Sequence, residues 1–186
     1  MDEGTPRKRR LFVGVALEQS VRAGCAHACE TLRKTGFAAR YEAAEKLHLT
    51  LAFLGFVESS RSDAVAAALA ESAAASKPFS VVLDKLGAFP NERRPRVVYI
   101  GARDQGAPFR LLAAAVRSRF AALCFGFDED AVAHVTIARV KESKSPLPLI
   151  EFSPITLPIG ALTLFESLPD RANKTSRYEI AATAPL

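Results

Sequence analysis

Two heptads, Leu47-His48-Leu49-Thr50-Leu51-Ala52-Phe53 and Ala133-His134-Val135-Thr136-Ile137-Ala138-Arg139, repeat one pattern: apolar, histidine, apolar, threonine, apolar, alanine. Side chains on a strand alternate faces. The pattern therefore predicts His48, Thr50 and Ala52 on one face and Leu47, Leu49, Leu51 and Phe53 on the other. The second heptad divides the same way, with His134, Thr136 and Ala138 opposite Ala133, Val135 and Ile137. Each strand would bury its aliphatic face and present one imidazole and one hydroxyl. Only three histidines occur in the chain, and chance places threonine two residues after two of them in about one sequence in a hundred. A histidine bonded inside a core is the ordinary reading of one such site; the pair argues against it.

Outward from the heptads, apolar runs predict strands over residues 10–15, 47–55, 79–86, 96–102 and 132–140. Three more follow at 155–157, 161–168 and 177–182. Helical periodicity marks residues 21–34, closed by Gly36, and 109–124. Residues 60–75 form an alanine-rich helix that Ser60 can cap. Several strand-to-strand links are too short for crossover helices, so an α+β domain with mixed or antiparallel sheets is expected rather than a doubly wound parallel fold. No linker divides the chain: residues 1–9 read as a basic tail and 10–186 as one domain.

Composition narrows the classes. The chain has 186 residues, 49% of them hydrophobic, enough for one sizeable core and too apolar for disorder. No run reaches the roughly 18 apolar residues of a membrane span, and the apolar segment after the charged N-terminus is too short for a secretory signal. A soluble, cytoplasmic protein is expected. Cys25, Cys29 and Cys124 suggest no disulfide framework. In Cys25-Ala-His27-Ala-Cys29 a helix turns His27 away from both thiols, so the sequence predicts a packed thiol pair and no zinc site. The net charge of +5 favours an anionic partner without defining one.

The paired motif has a chemical logic. Hydrolysis of a phosphodiester is helped by a base that deprotonates water and an acid that protonates the departing oxygen. Histidine serves both tasks near neutrality. In-line displacement puts these groups on opposite sides of phosphorus, so the two imidazoles should face each other across a phosphate. Thr50 and Thr136 can donate to the non-bridging oxygens. A 2′,3′-cyclic phosphate suits such a site, because ring strain lowers its barrier and its leaving group stays tethered.

These motifs resemble those of the 2H phosphoesterase superfamily, and the flanking sequence narrows the likeness. Arg10-Leu11-Phe12-Val13 looks like the family's opening strand. Leu47 to Gly55 matches its first signature, and Gly87-Ala88-Phe89-Pro90 with Pro95 to Gly101 resembles the middle segment of RNA 2′,3′-cyclic phosphodiesterases, formerly called 2′-5′ RNA ligases. The resemblance implies a pseudo-two-fold, two-lobed α+β fold with a central cleft. It implies His48 as proton donor to the leaving group, His134 as proton acceptor from water, and a 2′-phosphate product. It also implies Arg139 near the phosphate, although alternation puts Arg139 opposite His134 unless a bulge or strand end intervenes. The chain departs from the family at Ala133, where proline is usual, and at Tyr99, where tryptophan is usual.

The expected partner is an RNA with a 2′,3′-cyclic phosphate end, or a cyclic nucleotide, acted on by a monomer with no cofactor, metal or membrane. Phe12 and Phe53 are candidates to stack a base, with Phe12 the chosen contact, although apolar strand positions are more often core. Basic runs at residues 7–10 and 93–96, and Arg139 with Lys141 and Lys144, read as solvated charge that can also hold RNA phosphates. Asp128-Glu129-Asp130 reads as a solvated turn. Ser167 and the stretch 171–174 can form a loop over the cleft. Reversible 2′-5′ ligation at the same site, and RNA-end binding without turnover, are the competing readings.

Overall fold

The computed structural model describes residues 8–127, 130–142, 144–172 and 175–186. Arg7, Asp128, Glu129 and Lys174, which enter the readings above, lie outside them. Strand β1 (Lys8–Ala16) begins inside the stretch that reads as a tail. Helix α1 (Gln19–Lys34) follows, burying Val21, Cys25, Ala28, Cys29 and Leu32 along one face. That spacing is the helical repeat, and Gly36 at φ 77° ends it. A two-residue strand β2 (Arg40–Tyr41), a single 3-10 turn and the first motif strand β3 (His48–Glu58) come next.

Helix α2 (Ser62–Ala74) starts after a 3-10 turn, and its N-cap residue is Arg61 without a side-chain cap. The expected Ser60 cap is therefore absent, because the turn before the helix already closes that end. The strand expected over 79–86 is two strands, β4 (Phe79–Leu83) and β5 (Lys85–Phe89), which break at Asp84 and join different sheets. There the Asp84 carboxylate accepts the Arg103 N–H at 2.9 Å. Strand β6 (Val97–Gly101), helix α3 (Gly106–Ala122) and the second motif strand β7 (His134–Arg139) follow. The chain finishes with β8 (Ile155–Ile159), β9 (Ala161–Asp170) and β10 (Thr175–Pro185).

Every strand pairing is antiparallel. The main sheet runs β10-β9-β1-β3-β7-β6-β5, and β2 pairs with β7; β4 and β8 form a separate ribbon. The main sheet is two half-sheets. One is β10-β9-β1-β3, the other β7-β6-β5 with β2, and between β3 and β7 the register consists of one pair, Leu49 opposite Val135. Both of those residues are fully buried. The helices cover the core side, where α2 packs on β9 and β10, α3 on β3, and α1 on β7 and β8. The opposite side stays open at the junction. Among the described residues no helix is long and apolar enough to cross a membrane.

Candidate active site

The Leu49–Val135 pair fixes the geometry of everything above it. Both side chains point into the core, so their neighbours His48, Thr50, His134 and Thr136 point to the open side. All four line one cleft of about 690 Å³. In an antiparallel register the two histidines sit diagonally across that pair, their backbones about 7–8 Å apart. That separation is short enough for two rings to reach opposite sides of one small group.

Both rings are held in the same way. The Nδ1–H of His48 donates to the Lys46 carbonyl at 2.7 Å, and that of His134 donates to the Val132 carbonyl at 2.8 Å. A carbonyl only accepts, so each neutral ring carries its proton on Nδ1 and leaves Nε2 free. Rings pack around each imidazole. His48 lies against Phe12 at 4.8 Å and meets the edge of Tyr178 at 4.9 Å. His134 meets Phe89 and Tyr99, each at 5.2 Å. Burial is the first cause pushing both imidazoles below their ordinary pKa; Arg139 lowers both as well, and His134 lowers His48. The carbonyl bonds oppose that shift, as does Glu42 at His48.

Beyond the threonines, simple alternation fails at the same place in both strands. In β3, Ala52 pairs with Val13 and Thr50 with Gly14, leaving Leu51 unmatched. In β7, Ala138 pairs with Val98 and Thr136 with Tyr99, leaving Ile137 unmatched. Each is a bulge that reverses the faces of the residues after it. Ala52 and Ala138 are therefore buried rather than facing the cleft, which corrects the expected faces. Phe53, expected in the core, is 66% exposed and lines the cleft. Arg139 occupies the matching position and lines the cleft too; the bulge supplies what its parity required.

Arg139 meets a carboxylate there. Its Nε donates to Glu42 Oε1 at 2.9 Å, and Arg40 stands 3.8 Å from the same oxygen. Glu42 itself is anchored by the bulge, because its N–H donates to the Ile137 carbonyl at 2.8 Å. Alternation in the 40–42 segment is too brief to signal a strand, so sequence reasoning missed both Arg40 and Glu42. Tyr178 lay on an expected strand, but nothing in its spacing pointed to His48.

The remaining expected residues fall as follows. Phe12 is 3% exposed, its ring stacked on Phe165 at 4.9 Å and packed beneath Phe53 and His48. Ser167 lines the cleft. Arg96 lies near Arg139 but donates to the Lys141 carbonyl at 2.6 Å. Cys25 and Cys29 are buried in α1 and His27 is exposed. Among the described residues no cluster of His, Cys, Asp or Glu is arranged to hold a metal.

Two half-sheets that each deliver one anchored imidazole and one threonine to a shared cleft define a two-histidine phosphoesterase fold. The sequence profile of the 2′-5′ RNA ligase superfamily matches residues 18–171, and the chain belongs to that family. It is 36% identical over 137 residues to an RNA 2′,3′-cyclic phosphodiesterase of Archaeoglobus fulgidus, covering 74% of this chain and 75% of that one. Among solved structures it resembles a protein of Thermus thermophilus, with a TM-score of 0.79 and 28% identity over 95% of this chain and 97% of that one. It also resembles LigT of E. coli complexed with 3′-AMP, with a TM-score of 0.74 and 27% identity over 97% and 99%.

Proposed function

We propose that this protein hydrolyses 2′,3′-cyclic phosphate ends of RNA to 2′-phosphates, with His134 as base and His48 as acid. One observation carries the reading: two imidazoles with Nδ1 tied back to backbone carbonyls and Nε2 free, set diagonally across the Leu49–Val135 pair. His134 Nε2 takes a proton from water as its oxygen attacks phosphorus. The bond from phosphorus to O3′ breaks, and protonated His48 gives its Nε2 proton to O3′. The base thus ends protonated and the acid neutral, so one proton exchange with solvent resets the pair. Thr50 and Thr136 donate to the non-bridging oxygens, and Arg139 offsets charge at the same phosphate.

The relatives' names support the substrate class, since the Archaeoglobus protein is an RNA 2′,3′-cyclic phosphodiesterase. Two side chains supply both proton transfers, so the reaction needs no metal-bound hydroxide. The reading extends to a monomer in the cytoplasm. All three cysteines are free, as suits a reducing compartment.

The test is product analysis on a defined RNA ending in a 2′,3′-cyclic phosphate, in EDTA. The expected product is a 2′-monophosphate, with activity lost in His48→Ala and in His134→Ala. Exclusive 3′-monophosphate, or activity retained in both variants, would overturn the assignment.

A further inference from the structure

Outside the cleft, the open face of the first half-sheet carries a feature that hydrolysis of a terminal phosphate does not require. Phe56 is 73% exposed, more than any other aromatic ring among the described residues. It lies beyond the rim, because the cleft is lined on this strand only as far as Gly55. In a regular strand, residues three apart face opposite ways, so Phe53 and Phe56 could not share a side. A second irregularity brings them together. Phe12 pairs with Phe53 but Leu11 with Gly55, leaving Leu54 unmatched, and Gly55 adopts φ 73°, a conformation costly for any side chain.

Phe56 then stands directly opposite Arg10. Paired residues share a face, and Arg10 lines the cleft, so Phe53, Phe56 and Arg10 form one strip leading out of it. By the register, the two rings are two ladder steps apart, about 7 Å along the sheet. Arg9, next in the chain, is held by Glu166 at 2.7 Å. Arg10 has no ion-pair partner among the described residues and remains available for an anion.

We propose that this strip binds the nucleotide preceding the cyclic phosphate, with its base stacked on Phe56 and its phosphodiester held by Arg10, so that the preferred substrate is a single-stranded RNA end rather than a cyclic mononucleotide. Exposed aromatic rings beside a cation on an open sheet face are what single-stranded RNA recognition uses, because every base has a face to stack and every linkage carries a charge. The strip continues the proposed catalytic cleft, and the chain's net charge of +5 favours the same occupant. A duplex does not fit this arrangement, since its bases are already stacked.

The inference rests on the proposed hydrolysis, and its test separates the two. Steady-state kinetics are measured on adenosine 2′,3′-cyclic phosphate and on a triadenylate ending in the same group. Wild-type protein is expected to show a KM for the triadenylate about tenfold lower or better. Phe56→Ala should remove most of that preference while leaving mononucleotide turnover unchanged, and Phe56→Tyr should restore it. Arg10→Ala should flatten the dependence of log KM on log salt by about 0.7 for the triadenylate. Turnover of neither substrate sinks the assigned activity. Turnover of both with equal KM, or a preference untouched by Phe56→Ala, sinks the strip alone. A change in elution volume for Phe56→Ala with an unaltered preference assigns the ring to self-association instead.

Discussion

The Arg139 guanidinium reaches into the cleft with a carboxylate against it: Nε lies 2.9 Å from Glu42 Oε1, and that carboxylate is only 14% exposed. A cyclic phosphodiester carries one negative charge, whereas the monoester product carries nearly two at neutral pH. At the proposed phosphate site, a carboxylate therefore weakens the hold on product more than the hold on substrate. Glu42→Gln is expected to tighten binding of adenosine 2′-phosphate by up to about fivefold, the ceiling for a half-exposed ion pair. It should also move the kcat/KM optimum to lower pH, because Glu42 is one of the groups holding the His48 pKa up. An unchanged product inhibition constant would refute the charge-selection role.

In the proposed mechanism, replacing either histidine removes one proton transfer. His48→Ala and His134→Ala should each lower kcat by about 10²–10⁴-fold, and the double variant should lose much less than the product of the two. Thr50→Val and Thr136→Val keep the shape but lose a donor to the charged oxygens, with an expected loss of up to about 10²-fold. Single-turnover rates on a cyclic-phosphate dinucleotide measure all four. A threonine variant with full activity would exclude that hydroxyl from the phosphate.

The pH profile follows from burial. Imidazoles ordinarily titrate at about 6.5, and burial pushes both lower. In the proposed mechanism the productive state holds one proton on the pair, so the kcat/KM optimum is expected below pH 6.5, with apparent pKa values that belong to the pair. A bound phosphate anion favours the charged ring, so the kcat optimum should lie at higher pH. Stability has a defined sign too. Below about pH 6.5 the unfolded chain protonates these rings before the folded protein does, so their contribution is present above that pH and lost as pH falls through the folded values. A kcat/KM maximum above pH 8 would contradict the assignment.

Thiol chemistry tests the core around α1. Cys25 and Cys29 are buried with pKa values pushed up to about 12 and about 11, whereas Cys124 is exposed. In native protein a thiol reagent should label Cys124 within minutes and leave the other two until denaturant is added. Fast labelling of all three would mean that α1 opens readily.

Gly87 tests the support of the second imidazole. A Cβ there would lie 2.6 Å from the Tyr99 ring, which itself packs against His134. Gly87→Ala is expected to cost about 1–3 kcal/mol of stability through overpacking and to lower kcat by displacing Tyr99. Denaturant unfolding and turnover measure the two effects separately. An unaltered kcat in a destabilised variant would show that Tyr99 does not position His134.

Much of this was legible because it follows from alternation. The buried faces of Leu49 and Val135, and the cleft faces of His48, Thr50, His134 and Thr136, come directly from the period of a strand. What lay beyond reach were the interruptions of that period. Nothing in Leu51 or Ile137 marks either as unmatched; a bulge is decided by the neighbouring strand, and it moved Phe53 into the open and Ala52 and Ala138 out of sight. Glu42 was hidden for a similar reason, since its place depends on a carbonyl released by that irregularity far away in the chain. The split at Asp84 has the same origin, an apolar run divided between two sheets by partners elsewhere.

The twin bulges also leave the backbone nearly indifferent to direction. Phe53 and Arg139 are counterparts, each the fifth residue after its histidine and each turned to the same side. One half thus offers a ring and the other a guanidinium on otherwise matching frames. On the proposed mechanism, which way round an incoming strand end must lie, and so which oxygen departs, is written in a handful of side chains and not in the frame that holds them.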